Sequence, residues 1–340
     1  MDAAQQLVDL LAAESGAEVA LAGPVESIGA GFDAEIIVVQ LTGEALDPRW
    51  QQPLIMRIKS SADLLGDAER EAAVQDWVAD RGYRTPRVLR VFAPGELLDL
   101  PAQIMERVPG NNMLETFRRA PWRARRLLGK LGKLHRQLHD LDPSGFPDQR
   151  DLLQTRLTMM SETVAKTGNT ALGEALAEVE RWADELRSHE PVVCHGDFHP
   201  LNIVLPPGRD GESKMAVIDW TDAVPGDRHA DVARTMTLFE IAAIAAESRL
   251  ERSLLNTLGP IFGRWYFTAY DEDNIIDATR LARWRSIQLL FNWAHVVDIE
   301  AAASDENEET PRAAERFPPT LGPELRQRFN QSLQDLGSTS

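Results

Sequence analysis

Three side chains in the second half of the chain, Asp197, Asn202 and Asp219, have the types and spacing to handle a metal-bound phosphate. The first two lie in Val193-Cys194-His195-Gly196-Asp197-Phe198-His199-Pro200-Leu201-Asn202-Ile203-Val204-Leu205, and the third closes Val217-Ile218-Asp219 ahead of Trp220. This reads as an apolar strand, a polar loop, a second apolar strand and a later one ending in Asp, with Gly196 and Pro200 keeping the loop from becoming helix. Magnesium takes oxygen ligands and keeps much of its water, so one or two protein groups suffice. A separate carboxylate must then orient an acceptor hydroxyl and take its proton. Two hard-oxygen ligands plus one carboxylate are what phosphoryl transfer from a nucleotide requires. Singly, each of these residues reads as a turn former; all three in this order do not. His195 and His199, four apart, invite a zinc reading, but that motif needs one helical face with a Glu between. Gly196 and Pro200 forbid the helix.

An Asp followed five positions later by Asn, and then by an apolar strand ending in Asp, resembles the catalytic loop and metal-binding Asp of protein kinases. More closely, the chain resembles the H-G-D-x-H-x-x-N and I-D-W signature of the aminoglycoside phosphotransferase family of small-molecule kinases. That resemblance implies Asp197 as catalytic base and Asn202 and Asp219 as magnesium ligands, with ATP or GTP as co-substrate. It makes His195 a loop-shaping residue. Gly226-Asp227 and Asp231 match a further family pattern, with Arg228 standing where the family usually has Pro. Trp220 follows Asp219 where protein kinases have D-F-G, and no A-P-E segment is evident, which argues against a peptide acceptor.

Composition fits a soluble globular protein. The chain has 340 residues, 43% hydrophobic and 26% charged, enough for two units of ordinary size. Apolar runs fall short of the ~20 residues of a membrane span, and the N-terminus lacks the basic start and apolar block of a signal peptide. The single cysteine, Cys194, needs no oxidising compartment, so the cytoplasm is the expected location. A net charge of −17 argues against nucleic acid as partner. It would suit a cationic acceptor, although general acidity is also a common solubility trait. Nothing in the chain speaks to oligomeric state.

The elements that must position these residues can be read in order. Leu7, Leu10 and Leu11 recur at helical spacing over 2–16. Val25 to Glu35 reads as strand, glycine turn, strand, followed by strands at 36–41 and 53–59. Gly29 and Gly31 in that turn suit a backbone approach to phosphates. Arg57 and Lys59 project to one strand face, and either can be the cation that holds the α- and β-phosphates. A helix over 68–81, with Ala72, Ala73, Trp77 and Val78 on its apolar side, carries Glu71 in the family's R-E-A-like run. Glu71 is therefore expected to orient that cation, with Glu69 in reserve. Strands at 88–92 and 102–108 follow, and Gln103 to Gly110 resembles the family's hinge segment. The resemblance places the purine against the backbone near Glu106 and Val108, with Ile104 or Met105 close by.

Beyond Gly110 the pattern turns helical. Trp122, Leu127, Leu128, Leu131, Leu134 and Leu138 mark an amphipathic helix to about 139. His135 and His139 on it, with no acidic partner at suitable spacing, read as surface or packing residues. Helices near 149–166 and 171–188 precede the loops, and helices near 232–246, 250–270, 274–303 and 325–336 follow them. In the family such helices build the acceptor pocket. By charge the candidates are Asp222, Asp271, Glu272, Asp273, Asp298 and Glu300, and Asp222 lies nearest the chemistry in sequence. Asp305 to Glu309 reads as a solvated acidic loop. The expected fold is α+β, a protein-kinase-like two-lobe fold, with a β-rich, nucleotide-binding N-lobe over 1–108 and a mostly helical C-lobe over 109–340. The expected activity is phosphoryl transfer to a hydroxyl of a small molecule. Aminoglycoside or macrolide antibiotics (hence antibiotic resistance) are one acceptor class, and choline- or homoserine-like metabolites another. A catalytically silent nucleotide-binding module is the rival reading.

Overall fold

A computed structural model describes residues 3–30, 34–208, 214–242, 249–303, 318 and 320–338. Gly31 and the acidic 305–309 stretch lie outside the described residues. In chain order the first elements are α1 (Ala3–Ser15), β1 (Ala20–Leu21), β2 (Glu26–Ala30), β3 (Ala34–Val39), β4 (Leu41–Thr42), β5 (Leu54–Lys59), α2 (Leu65–Asp80), β6 (Val88–Phe92), β7 (Ala102–Glu106) and β8 (Asn111–Asn112). Next come α3 (Met113–Arg119), α4 (Ala124–His139), α5 (Leu152–Thr167), α6 (Thr170–Glu180), α7 (Ala183–Arg187), β9 (Val192–Cys194), β10 (Ile203–Leu205), β11 (Ala216–Val217) and β12 (Val224–Gly226). Four helices complete the chain: α8 (Arg228–Ile241), α9 (Arg249–Tyr270), α10 (Ala278–Ala303) and α11 (Leu321–Ser338). No described helix is long and apolar enough to cross a membrane.

The chain forms two compact units, Met1–Met113 with Leu201–Thr221, and Leu114–Pro200 with Asp222–Ser340. In the first, five strands form an antiparallel sheet in the order β2-β3-β5-β7-β6. β5 is its middle strand, so Arg57 and Lys59 sit in the sheet interior and not on an edge. One face carries the apolar residues of β3, β5 and β7 (Ile37, Val39, Leu54, Met56, Ile104) against the Ala4, Leu7, Val8 and Leu11 stripe of α1. Each buried Leu or Ile contributes about 1.5–3 kcal/mol. α2 buries Ala68, Glu71, Ala72, Val74, Gln75, Trp77 and Val78, whereas Ala73, expected on that side, is exposed. Gln75 and Gln103 are held in place by donating to the carbonyls of Pro86 and Ala68, each at 2.5 Å. The returning segment adds a small sheet, β11-β10-β8.

Among the described residues the second unit is helical apart from the β9–β12 pair and the connecting loops. α4 turns Leu127, Leu128, Leu131 and Leu138 inward, but begins only at Ala124. Trp122, expected on its apolar stripe, is 79% exposed in the turn before it. Close approach of α4 to α9 depends on Gly132, where an added Cβ would lie 2.3 Å from the Tyr266 carbonyl oxygen. The expected 171–188 helix is broken into α6 and α7 around Arg181-Trp182. Asp151 and Asn169 cap α5 and α6 by accepting from the amides of Gln154 and Leu172.

Candidate active site

In the first unit both candidate cations meet the helical carboxylate. Arg57 Nη1 lies 2.6 Å from Glu71 Oε1, and Lys59 Nζ lies 3.5 Å from Glu71 Oε2. Strand alternation sends both cations to the face covered by α2, and Glu71 is the buried carboxylate that receives them. Glu69 is exposed. Arg57 also reaches to 3.7 Å from Asp219 Oδ1, while the Lys59 side chain is wholly buried. Arg57 therefore links the helical Glu to the Asp that follows β11.

Asn202 and Asp219 are set at one end of the β10–β11 ladder. Ile203 pairs with Val217, and the Ile218 amide donates to the Asn202 carbonyl at 3.0 Å, which puts both side chains just past the paired residues. Asp219 has φ +67, a left-handed conformation that costs a non-glycine residue energy and is typical of functional positions. Its Oδ1 accepts from the Thr221 hydroxyl at 2.9 Å, and its side chain is 43% exposed. An accessible carboxylate and an amide, brought by the backbone to one end of this ladder, are the hard-oxygen donor types that magnesium takes.

The remaining nucleotide candidates divide by face. Ile104 is fully buried in the α1 core, so its side chain is sealed from any ligand. Met105 points to the other face, toward Gln75. The Glu106 carboxylate accepts from the Arg87 amide. β7 ends at Glu106, so Val108 lies beyond it in the connection to Gly110. Gly29 pairs with Ile36 next to a bulge in β2.

In the second unit the loop after β9 is clamped by Asp231. Its carboxylate accepts from the amides of His195 at 2.6 Å and Gly196 at 2.9 Å. Gly196 has φ +80, and a Cβ there would collide with the Asp222 backbone. The Asp197 amide lies 3.3 Å from His195 Nδ1, the local bond expected of a loop-shaping histidine. The Phe198 carbonyl accepts from the Thr235 hydroxyl at 2.7 Å.

These anchors hold Asp197 in position. Arg234 donates through Nε and Nη2 to Oδ1, at 3.2 and 3.0 Å, and His199 Nε2 lies 3.0 Å from Oδ2. Burial by itself would raise the Asp197 carboxyl. The Arg234 guanidinium and the hydrogen bond from His199 outweigh it and hold the group well below the usual carboxylate range. It is ionised at neutral pH, with its orientation fixed.

His135 and His139 are fully enclosed, and their acidic partner comes from 96 and 92 residues away: both Nε2 atoms meet Asp231 Oδ2, at 3.0 and 3.2 Å. Of the expected surface or packing role, burial bears out packing; what is corrected is the lack of an acidic partner, since the sequence spacing did not show one. Because an ionised carboxylate can only accept, both Nε2 carry a proton, and the Nδ1 atoms of His135 and His139 lie 2.6 Å from the hydroxyls of Tyr266 and Tyr270. The three groups are close enough to surround an ion, yet the network is complete without one. Cys194 is buried beside it with its thiol pushed up, first by burial and then by Asp231 and Asp227.

Burial, reinforced by His135, lowers the His139 imidazole to about 4. Below pH 6.5 the unfolded chain therefore binds this proton first, so the group's contribution is complete above about 6.5 and lost as pH falls toward 4. The loss is up to about 1.4 kcal/mol per pH unit. Asp231, held well below the usual range, adds its own loss only below about pH 4. Urea unfolding between pH 7 and 4.5 should show this slope, and His139→Gln should flatten it by about one proton. An unchanged slope would acquit His139.

Asp227 caps α8 by accepting from the His229 amide and also receives Arg280 at 2.5 Å and Trp284 Nε1 at 2.6 Å. It is thus a structural hub. Of the acceptor candidates, Asp222 pairs loosely with Arg156 at 3.5 Å and Asp298 pairs with Lys166 at 3.0 Å. Both act on His295 electrostatically. Glu300 opens into a different cavity, of about 520 Å³, with Trp293 and Arg326. Asp271 accepts from the amides of Ile275 and Ile276, while Glu272 and Asp273 pair with Lys133 and Arg136. Sequence reading passed over Arg234 and Arg156. The available signals were Arg234 one helical turn after Asp231, and a charge at the core-facing position between Leu152 and Met160.

Comparison with known proteins bears on the family and the fold. The family described as APH, phosphotransferase enzyme family, matches residues 25–269. An aminoglycoside 3'-phosphotransferase of Streptomyces fradiae is 29% identical over 226 residues, 62% of this chain and 78% of that protein. The GDP complex of an aminoglycoside 2'-phosphotransferase-IIIa superposes with a TM-score of 0.59 at 14% identity, covering 98% of this chain and 99% of that one. A choline kinase from Cryptosporidium parvum Iowa II gives 0.59 at 13% identity, with 93% and 90% covered. The expected α+β, kinase-like fold is what the chain has, and the chain belongs to the APH phosphotransferase enzyme family.

Proposed function

We propose that this phosphotransferase moves the γ-phosphoryl group of ATP or GTP to a hydroxyl of a small molecule in a magnesium-dependent reaction. The observation that carries the reading is Arg57, which bridges the buried Glu71 and the strained Asp219. Such a cation is of use where phosphates must be held beside a metal carboxylate. Asn202 and Asp219 would hold the magnesium, which when bound neutralises charge on the phosphates. Arg57, kept in place by Glu71 with Lys59 behind it, would position the phosphates. The Gly29 hairpin would lie over them, and the backbone from Met105 through Glu106 to Val108 would meet the purine. Asp197 orients the acceptor hydroxyl and takes its proton. A carboxylate of low basicity serves here because the transition state is loose and little proton transfer is needed early. Catalysis is then placement and charge stabilisation.

Aminoglycosides are the acceptors in the name of the Streptomyces fradiae relative, and choline in that of the more distant structural relative. The test is release of nucleoside diphosphate from ATP and GTP, with and without magnesium, across aminoglycosides, macrolides, choline and hydroxy acids. Acceptor-dependent, magnesium-dependent release is the expected result. Failure to bind either nucleotide with magnesium would overturn the reading and leave the fold without this activity.

A further inference from the structure

Arg156 is the feature that the phosphotransfer reading leaves unexplained. It lies on α5 at 4% exposure, at a position where the helix otherwise turns Leu152, Leu153, Leu157 and Met160 inward. Its Nε is buried with no hydrogen-bond partner among the described residues. The polar contact it does make, Nη2 to Asp222 Oδ2, is 3.5 Å long, at the outer limit of a hydrogen bond. The guanidinium lies over the Phe291 ring at 4.0 Å from its centroid. A buried cation so poorly compensated is costly unless something completes it.

The surrounding charges show what could do so. Asp197, Arg234, Asp222 and His295 all lie within electrostatic reach of Arg156. Asp197 is already neutralised by the two bonds from Arg234, and Asp222 is 46% exposed. Burial pushes the Arg156 pKa down and Arg234 adds to this, while Asp222 and Asp197 oppose it; the desolvated guanidinium is what an anion bonded to it directly would relieve. Phe291, against which Arg156 packs, also lines a cavity of about 300 Å³ with Met160, Thr163, His295 and Asp298; Arg156 itself is not in that lining. The Asp298 of that cavity is paired with Lys166. Glu162, also in its lining, is exposed to solvent.

We infer that the acceptor is a small hydroxylated molecule bearing a carboxylate, with that carboxylate held by Arg156 and its hydroxyl presented to Asp197. The inference rests on the phosphotransfer reading and narrows its acceptor. A guanidinium offers Nε and Nη2 as a planar fork that matches a carboxylate edge. Arg156 is a specificity-determining residue in this account.

The experiment uses the full chain with magnesium and ATP or GTP. Acceptors are glycerate, 4-hydroxybutyrate and gluconate, their methyl esters, and kanamycin and choline as cations. Calorimetry measures binding of each carboxylate to the nucleotide-loaded protein. The expected result is turnover of at least one carboxylate with a preference over its ester of at least about 10²-fold, as for a charge-assisted bidentate pair. Arg156→Met should collapse that preference mainly through KM, and Arg156→Lys should restore part of it. Should Arg156→Met fail to fold, the ester comparison on the unaltered chain and Arg156→Lys still decide. Three outcomes overturn the inference. One is turnover of kanamycin or choline with the carboxylates inert, and another is neither binding nor turnover of any carboxylate while magnesium-nucleotide binding is intact; both leave the phosphotransfer reading standing. The third is loss of nucleotide binding itself, which removes that reading as well.

Discussion

Asp197→Asn is expected to lower the rate of phosphoryl transfer by about 10²–10⁴-fold, the range for removal of a positioned general base. The amide keeps the volume of the carboxylate and still offers Arg234 an oxygen, but cannot take a proton from the acceptor hydroxyl. It also turns a donor toward one of the groups that now donate to Asp197, so the hydroxyl loses its orienting partner. Arg57, Asn202 and Asp219 are untouched, and magnesium-nucleotide affinity should stay within a few-fold of the parent. Steady-state turnover together with nucleotide titration separates the two. Turnover equal to the parent's would remove Asp197 from the reaction, whatever became of nucleotide binding.

The second large effect is on stability. Asp231→Ala takes away the carboxylate that receives the loop amides of His195 and Gly196 and the imidazoles of His135 and His139. Four buried donors then face a cavity without an acceptor. Breaking a buried charged network of this kind costs about 3–5 kcal/mol, far above the ~0.5 kcal/mol of a surface change. Urea unfolding at pH 7.5 should show the loss, and turnover should fall with it because the loop carrying Asp197 has lost its clamp. A change no larger than that of a surface substitution would mean that the loop is held by its own turns and by the Thr235 bond to Phe198. Asp231→Asn, which preserves shape, should recover only part of the stability, since its amide group meets donors on every side.

These two carboxylates differ in how they can be read from the chain. Asp197 stands in a local pattern: Gly196 and Pro200 shape the loop, and Asn202 follows at a fixed distance. Asp231 matches a family pattern with Gly226-Asp227, but nothing local says which groups it will receive. Its importance comes from His135 and His139, which are brought to it only when α4 and α8 pack. Arg57 and Lys59 show the same division. Alternation along β5 predicted that they share a face, but not which of them approaches Asp219, because that depends on where the 201–221 segment returns.

By itself the sequence determined the α+β class, the order of most elements, the catalytic-loop pattern and the cation strand. Each follows from short-range causes: apolar periodicity, turn-forming Gly and Pro, and residues a few positions apart. Only the tertiary structure decided that Leu201–Thr221 joins the N-terminal unit, that Glu71 and not Glu69 is buried against the cations, and that Trp122 stays in solvent. It also decided that Arg234 holds Asp197 and that Arg156 is buried with little to balance its charge. Those outcomes depend on which distant faces meet and exclude water. No local pattern specifies them, because the cost of an unpaired buried charge or donor exists only once the core has closed around it.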